Sequence, residues 1–256
     1  MESQQLLEIQ KKVEEIVISA GMYALSKWED VVAVQKGDEG DVVTDVDRII
    51  EDETRAKLSG LVPGASIVGE ETGGEVAGLY WVIDPIDGTK SYAHKMPGFF
   101  TQVALVSNNE PILSAVYDPV ARHLFSASRG NGTFLNGIAI SYQARVDSLS
   151  KAVIDVDFGG REDWEWKSSV FANLTKQTYR VRVTGGRFSP YLLTGGINAV
   201  LVVNPTTKAW DQLPRLILMQ EAGFDVREKE REGHVVRVMA EPPLTDVIWE
   251  IVDNIQ

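Results

Sequence analysis

The chain has 256 residues, 44% of them hydrophobic, enough to fill the core of one large domain or of two that share a cleft. With no cysteine, disulfides, thiolate nucleophiles and cysteine-ligated zinc are excluded, and the three histidines (His94, His123, His234) lack metal-ligand spacing, so any metal is held by oxygen. The formal charge of −12 argues against a nucleic-acid polymer as partner, yet it suits clustered carboxylates that bind divalent cations and through them an anionic substrate. No apolar run reaches the roughly 18 residues needed to cross a membrane, and the amino terminus has Glu2 but no basic-then-apolar signal pattern. The expectation is a cytoplasmic protein without a membrane partner.

In chain order, Leu6, Ile9, Val13, Ile16, Val17 and Ala20 recur at helical spacing and predict a first amphipathic helix. A second begins at Thr44, where Thr44 and Asp47 have capping-box spacing, and runs through Ile49, Ile50 and Leu58 to Gly60. SIVGE, LYWVID, FTQVALVS and PILSAVYD read as strands, and LFSASRGNGTFLNGIAIS as strands joined by tight turns. Near residue 145 the texture changes: strands KAVIDVD, YRVRVTG and AVLVVNP alternate with helices over 163–177 and 211–222, the pattern of a parallel α/β layer. The predicted division is therefore 1–145, an α+β part, and 146–256, an α/β part, with function at their junction.

The segment WVIDPIDGTKS, residues 81–91, places Asp84 and Asp87 three apart behind an apolar run. Asp-Pro equally opens a type I turn that ends a buried strand. Alternatively Pro85 turns the chain so that both carboxylates and the Ile86 carbonyl face one point, an oxygen set that suits magnesium and offsets the repulsion between the acids. Gly88 permits close backbone approach, and a helix starting at Thr89 aims free amides at an anion. Glu70 and Glu71 follow the SIVG strand, placing at least one at the same sheet end as Asp84. Asp211 precedes the helical pattern Leu213, Leu216, Ile217 and Ala222. Its ordinary capping partner would be the third residue on, which is Pro214 and has no amide, so the carboxylate is released for another partner.

GEE at 69–71, WVIDPIDGT at 81–89 and WDQLPRLILMQEAG at 210–223 resemble the signatures of the inositol monophosphatase family of magnesium-dependent, lithium-sensitive sugar phosphatases. DVVTDVD at 41–47, YDPVARHLFSASRGNGTFLNG at 117–137 and VRVTGG at 181–186 follow in the family's order. The resemblance implies an α+β fold, an αβαβα five-layered sandwich, and commonly a homodimer. It implies that Glu70, Asp84 and the Ile86 carbonyl hold a first Mg2+ and that Asp84, Asp87 and Asp211 hold a second. A third, weaker ion sits beside Glu70, and Mn2+ substitutes. Thr89 and Glu70 would orient and deprotonate the attacking water, with Asp47 bonded to Thr89 and Lys36 in support. Substrate contacts fall to Asp87, Gly88, Thr89, Gly185, Gly186, Arg187, Lys208 and Asp211.

Departures from the family pattern lie at Gln212, Leu213, Pro214 and Arg215, where small residues are usual, and at Phe224, Asn204 and Arg187. These bear on specificity. Inositol 1-phosphate or fructose 1,6-bisphosphate is the expected substrate, with a 3′-phosphorylated adenosine nucleotide as the alternative; a second phosphate held by Lys208 and Arg187 would favour fructose 1,6-bisphosphate or that nucleotide. KAVIDVDFGG also resembles the DxD of phosphatases that form an aspartyl-phosphate, with Asp155 as nucleophile and Asp157 as acid, although Gly159 breaks that pattern. A module that binds metal or phosphate without turnover would be expected to have lost one of Glu70, Asp84, Asp87, Thr89 or Asp211, and all five are present.

Overall fold

The structure is a computed structural model that describes the chain apart from residues 33, 37–40, 144, 160–162, 186, 188, 205–207, 232 and 256. Its contacts divide the chain into two compact units, Met1–Ile140 with Lys208–Glu221, and Ser141–Thr207 with Ala222–Gln256.

The first unit opens with helix α1 (Ser3–Lys27), which buries Leu6, Ile9, Val13, Ile16, Val17 and Ala20, the stripe expected from their spacing. Strands β1 (Val34–Lys36) and β2 (Asp41–Val43) form a small antiparallel pair. Helix α2 (Asp45–Leu58) follows, with the full capping box at its start: the Thr44 amide donates to Asp47 Oδ2 at 2.8 Å, and the Asp47 amide reaches Thr44 Oγ1 at 3.4 Å. Then come β3 (Ser66–Gly69), β4 (Leu79–Asp87), the short helix α3 (Thr89–Ala93), β5 (Phe100–Ser107), β6 (Glu110–Asp118), β7 (His123–Ser128), β8 (Gly132–Leu135) and β9 (Ile138–Ile140). β3 to β9 form one seven-stranded sheet in sequence order, with β3 and β4 parallel and every later pair antiparallel.

Alternation along β4 decides what each face meets. Trp81 and Ile83 join the α1 residues in one apolar cluster, whereas Tyr80 and Val82 join Ala209, Trp210 and Leu213 on the opposite face. A sheet covered on both faces has continuous apolar strands, which is why WVI and VALV show no polar alternation.

The second unit contains β10 (Val153–Phe158), α4 (Trp164–Gln177), β11 (Arg180–Val183), β12 (Ala199–Asn204), β13 (Asp225–Arg231), β14 (His234–Ala240) and α6 (Pro242–Asp253). Its strand order is β11-β10-β12-β14-β13. Ile154, Val156, Leu201, Val203, Val236 and Val238 pack with Val170 and Leu174 of α4 and Leu244, Ile248 and Val252 of α6. β10, β11 and β12 are parallel as expected, but β14 runs antiparallel to both its neighbours, β12 and β13, so this sheet is mixed. The reason is local: Arg231 pairs directly with His234, and Gly233 at φ +82° supplies the tight reversal of a hairpin.

Helix α5 (Ala209–Ala222) departs from the expected division at residue 145. Its apolar residues Trp210 and Leu213 lie on the seven-stranded sheet, so Lys208–Glu221 returns to the first unit. The α+β class expected from the sequence is the one observed. Among the described residues, no helix is long and apolar enough to cross a membrane.

Candidate active site

β4 does not end at Asp84. It continues to Asp87, but its register against β5 changes: Asp84 faces Gln102, and Asp87 faces Phe100. Three residues on one strand thus advance against two on the other, which is a β-bulge at Pro85 and Ile86. In a regular strand residues three apart point to opposite faces. The extra residue cancels that alternation and returns Asp87 to the face of Asp84, with Thr101 Oγ1 donating to the Pro85 carbonyl at 3.0 Å to hold the kink. The Asp-Pro pair is therefore part of a bulged strand and not a terminating turn.

Carboxylate oxygens of Asp84, Asp87 and Asp211 lie within 4.8 Å of one another. Asp84 is fully buried. Its Oδ2 accepts a hydrogen bond from Gln102 Nε2 at 3.0 Å, while its Oδ1 is buried with no hydrogen-bond donor among the described residues. Burial, followed by the negative charges of Glu70 and Asp211, holds the Asp84 carboxyl well above the usual carboxylate range, against the opposing Gln102 amide and Arg215 charge. A buried carboxylate oxygen without a donor, beside two more acids, fits a hard cation: such an ion would satisfy the oxygen and remove the repulsion together. Glu70 lies outside the close trio, at the sheet end where its amide donates to the Ile83 carbonyl at 3.2 Å.

Thr89 begins α3 behind Gly88, whose φ of +91° is a conformation side chains rarely adopt. The Thr89 hydroxyl lies 2.8 Å from the Ile86 carbonyl and 3.3 Å from Asp47 Oδ1. Asp47 is buried and also accepts from the Thr44 hydroxyl at 2.6 Å. Desolvation raises its carboxyl to about 6, with the Thr44 bonds pulling the other way. The capping residue of α2 and the hydroxyl at the start of α3 are thereby joined.

Asp211 sits in the first turn of α5 and not at its cap, because the helix starts two residues earlier than the sequence pattern suggests. The proline still matters, at a different bond. Pro214 has no amide for the carbonyl four residues back, that of Trp210, and Gln102 Nε2 donates to this carbonyl instead at 3.0 Å. One buried glutamine thus ties Asp84 to the helix that carries Asp211. Sequence reasoning did not single out Gln102, although an amide inside the apolar run FTQVALVS was the available signal.

Arg215 was read only as a departure bearing on specificity, and Glu51 was not singled out. Arg215, one turn beyond Asp211, is buried and its guanidinium pairs with Asp87 Oδ2. Desolvation lowers it to about 10, with the Asp84 charge opposing, so it remains a cation at neutral pH. Glu51 is fully buried on α2, at the helical spacing of Asp47, Thr54 and Leu58. It accepts from the Glu71 amide at 2.8 Å, the Thr72 amide at 3.1 Å, the Thr72 hydroxyl and Arg55 Nε at 3.0 Å, and so fixes the loop that carries Glu70. A Cβ on Gly69 would stand 2.2 Å from Glu51 Oε1, which is why glycine precedes the two glutamates.

The remaining expected contacts are distributed differently. Gly185 and Arg187 belong to the second unit, and Gly186 and the side chains of Lys36 and Asn204 lie outside the described residues. Lys208 is exposed, its Nζ 5.8 Å from the centre of the Trp210 ring. Asp155 is buried and accepts from the Thr184 amide at 2.9 Å and the Thr184 hydroxyl at 2.5 Å.

The profile of the Inositol monophosphatase family matches residues 2–254, and the chain belongs to that family. It is 33% identical over 224 residues to a Nus factor SuhB of Pseudomonas aeruginosa, covering 81% of this chain and 82% of the relative. An inositol monophosphatase of Dictyostelium discoideum is 33% identical over 198 residues, covering 72% of this chain and 70% of the relative. The solved structure of a Thermotoga maritima IMPase superposes with a TM-score of 0.81 at 25% identity, covering 94% of each chain.

Proposed function

We propose that this member of a phosphatase family is a magnesium-dependent phosphomonoesterase acting on a small phosphorylated sugar or polyol, inositol 1-phosphate or fructose 1,6-bisphosphate. The observation that carries the reading is the bulge in β4, which turns Asp84 and Asp87 to one face beside Asp211 while leaving Asp84 Oδ1 buried without a donor.

Asp84, Asp87 and Asp211, with Glu70 and the Ile86 carbonyl, would hold Mg2+ or Mn2+. Such an ion supplies Lewis acidity and neutralises charge gathering on a transferring phosphoryl group. The Thr89 hydroxyl would donate its hydrogen bond to Asp47 and turn a lone pair toward a water. Glu70 would accept the water's proton as the new oxygen–phosphorus bond forms and the ester oxygen–phosphorus bond breaks in line with it, and the departing alkoxide takes a proton from solvent to leave as the alcohol. The Gly88 and Thr89 amides receive a phosphoryl oxygen where the chain lacks a Cβ. No covalent enzyme intermediate is needed. Gly185, Gly186, Arg187 and Lys208 belong to the same reading as contacts to the rest of the substrate. A homodimer, a cytoplasmic location and lithium inhibition accompany it.

Phosphate release is measured from inositol 1-phosphate, fructose 1,6-bisphosphate and adenosine 3′,5′-bisphosphate, with and without Mg2+ and Li+, for the parent and Asp87→Asn. Magnesium-dependent release from the first two, lost in the variant, is expected. Preference for the third substrate moves the assignment to a bisphosphate nucleotidase, and equal turnover by Asp87→Asn refutes the carboxylate site.

A further inference from the structure

The three clustered acids already have one cation among them, and it is part of the chain. Arg215 stands four residues after Asp211, one helical turn along α5, so both side chains leave the same face of the helix. Its side chain is 8% exposed and its guanidinium pairs with Asp87 Oδ2. Removing an arginine from water is unfavourable unless fixed negative charge receives it, and here the receiving charge is a proposed cation ligand.

Resting on the reading above, we propose that Arg215 is a built-in counter-charge for Asp87 that weakens divalent-cation binding between Asp87 and Asp211. Two features support this. First, a divalent ion between Asp87 and Asp211 competes with the guanidinium for the same Asp87 oxygen. Second, arginine cannot give up its proton to relieve the repulsion, because the guanidinium stays charged throughout the neutral range. The ion must displace a side chain that is anchored one turn from Asp211 and shut away from water, or bind beside a like charge at contact distance. The Arg215 charge reaches Asp84 as well, but among the described residues no guanidinium sits on an Asp84 oxygen: Oδ1 is buried without a donor and Oδ2 accepts the neutral Gln102 amide. Arg215 thus opposes a cation at Asp87 more directly than one at Asp84.

The test uses the whole chain stripped of metal and titrated with Mn2+, free ion being read by electron paramagnetic resonance and heat by calorimetry, without substrate. Arg215→Gln keeps most of the side chain's length and removes its charge; Arg215→Lys keeps the charge. The parent is expected to take one ion tightly and a second at least tenfold more weakly. Arg215→Gln should bind that second ion at least tenfold more tightly than the parent, and Arg215→Lys should keep the parent's pattern. Two equally tight ions in the parent overturn the inference by themselves, without recourse to a variant. Unchanged second-ion affinity in Arg215→Gln likewise overturns it, leaving the phosphatase reading intact because a two-ion site remains. If neither parent nor variant binds any Mn2+, the inference and the metal-dependent reading both fail.

Discussion

Glu51 offers the sharpest test of how the loop bearing Glu70 is held. Its carboxylate is fully buried and accepts four bonds, from Arg55 Nε, the Glu71 and Thr72 amides and the Thr72 hydroxyl. Glu51→Ala removes every acceptor at once and leaves the Arg55 guanidinium, whose side chain is 23% exposed, without its carboxylate. Breaking a buried pair from one side costs about 3–5 kcal/mol. In a domain of this size each kcal/mol moves the midpoint by about 2–4 °C, so calorimetry should show a drop of roughly 6–20 °C. Glu51→Gln can keep its carbonyl oxygen toward Arg55 and Thr72 and lose only the Glu71 amide, which costs about 1–3 kcal/mol for one unsatisfied buried donor. The ordering Ala worse than Gln worse than parent is therefore required. A melting temperature for Glu51→Ala within about 2 °C of the parent would show that the four bonds are replaced by water at no cost, and the positioning argument would fall.

Gly69→Ala attacks the same contact from the other side: with a Cβ 2.2 Å from Glu51 Oε1, the variant should lose stability and Mn2+ affinity together, and unchanged melting would contradict it. Gln102→Leu removes the amide that joins Asp84 to the Trp210 carbonyl, and Mn2+ affinity should fall about 10–100-fold, as for other partners of metal ligands. For Asp47 the sign is set by a carboxyl raised from 3.8 to about 6 by burial. The folded chain then binds the proton more readily than the unfolded chain, so this group favours folding below about pH 4, and the advantage disappears as pH rises through 6. The gap is worth about 3 kcal/mol at about 1.4 kcal/mol per pH unit. In metal-free buffer, Asp47→Asn should therefore gain on the parent by that order between pH 4 and 6, and parallel pH–stability curves would refute the raised value.

The parts of this fold that were legible in the sequence are those governed by local rules. The α1 stripe and the Thr44 capping box require only residues within one helix, and both appear where the spacing puts them. The acids of DPID were legible as a pair, but the device that aims them was not. A bulge is a relation between two strands, and nothing between residues 84 and 87 states that Asp84 will oppose Gln102 and Asp87 oppose Phe100. Pro214 was read as denying the Asp211 carboxylate a capping amide, whereas the group it deprives is the Trp210 carbonyl, since Ala209 and not Asp211 opens the helix. Glu51 and Gln102 were hidden for a related reason: each is a polar residue on an apolar stripe, and apart from Arg55 beside Glu51 their partners lie 20 and 18 residues away or more. A polar group at such a position marks a long-range bond without naming its partner.

Tertiary position also explains why α5 groups with the first unit although it follows most of the second in sequence. A helix holding one carboxylate of a close trio must be fixed to the sheet that holds the other two. Apolar contact from Trp210 and Leu213 to Tyr80 and Val82 supplies adhesion without direction. Direction comes from three side chains that each donate to a backbone oxygen of α5: Gln102 from β5 to the Trp210 carbonyl, Ser114 from β6 to the Pro214 carbonyl at 2.6 Å, and Thr133 from β8 to the Leu218 carbonyl at 2.7 Å. Proline makes the first bond possible by leaving the Trp210 carbonyl without its intrahelical donor. A helix with an ordinary residue at 214 would satisfy that carbonyl internally, and the link from Asp84 through Gln102 to the first turn of α5 would lose its last member.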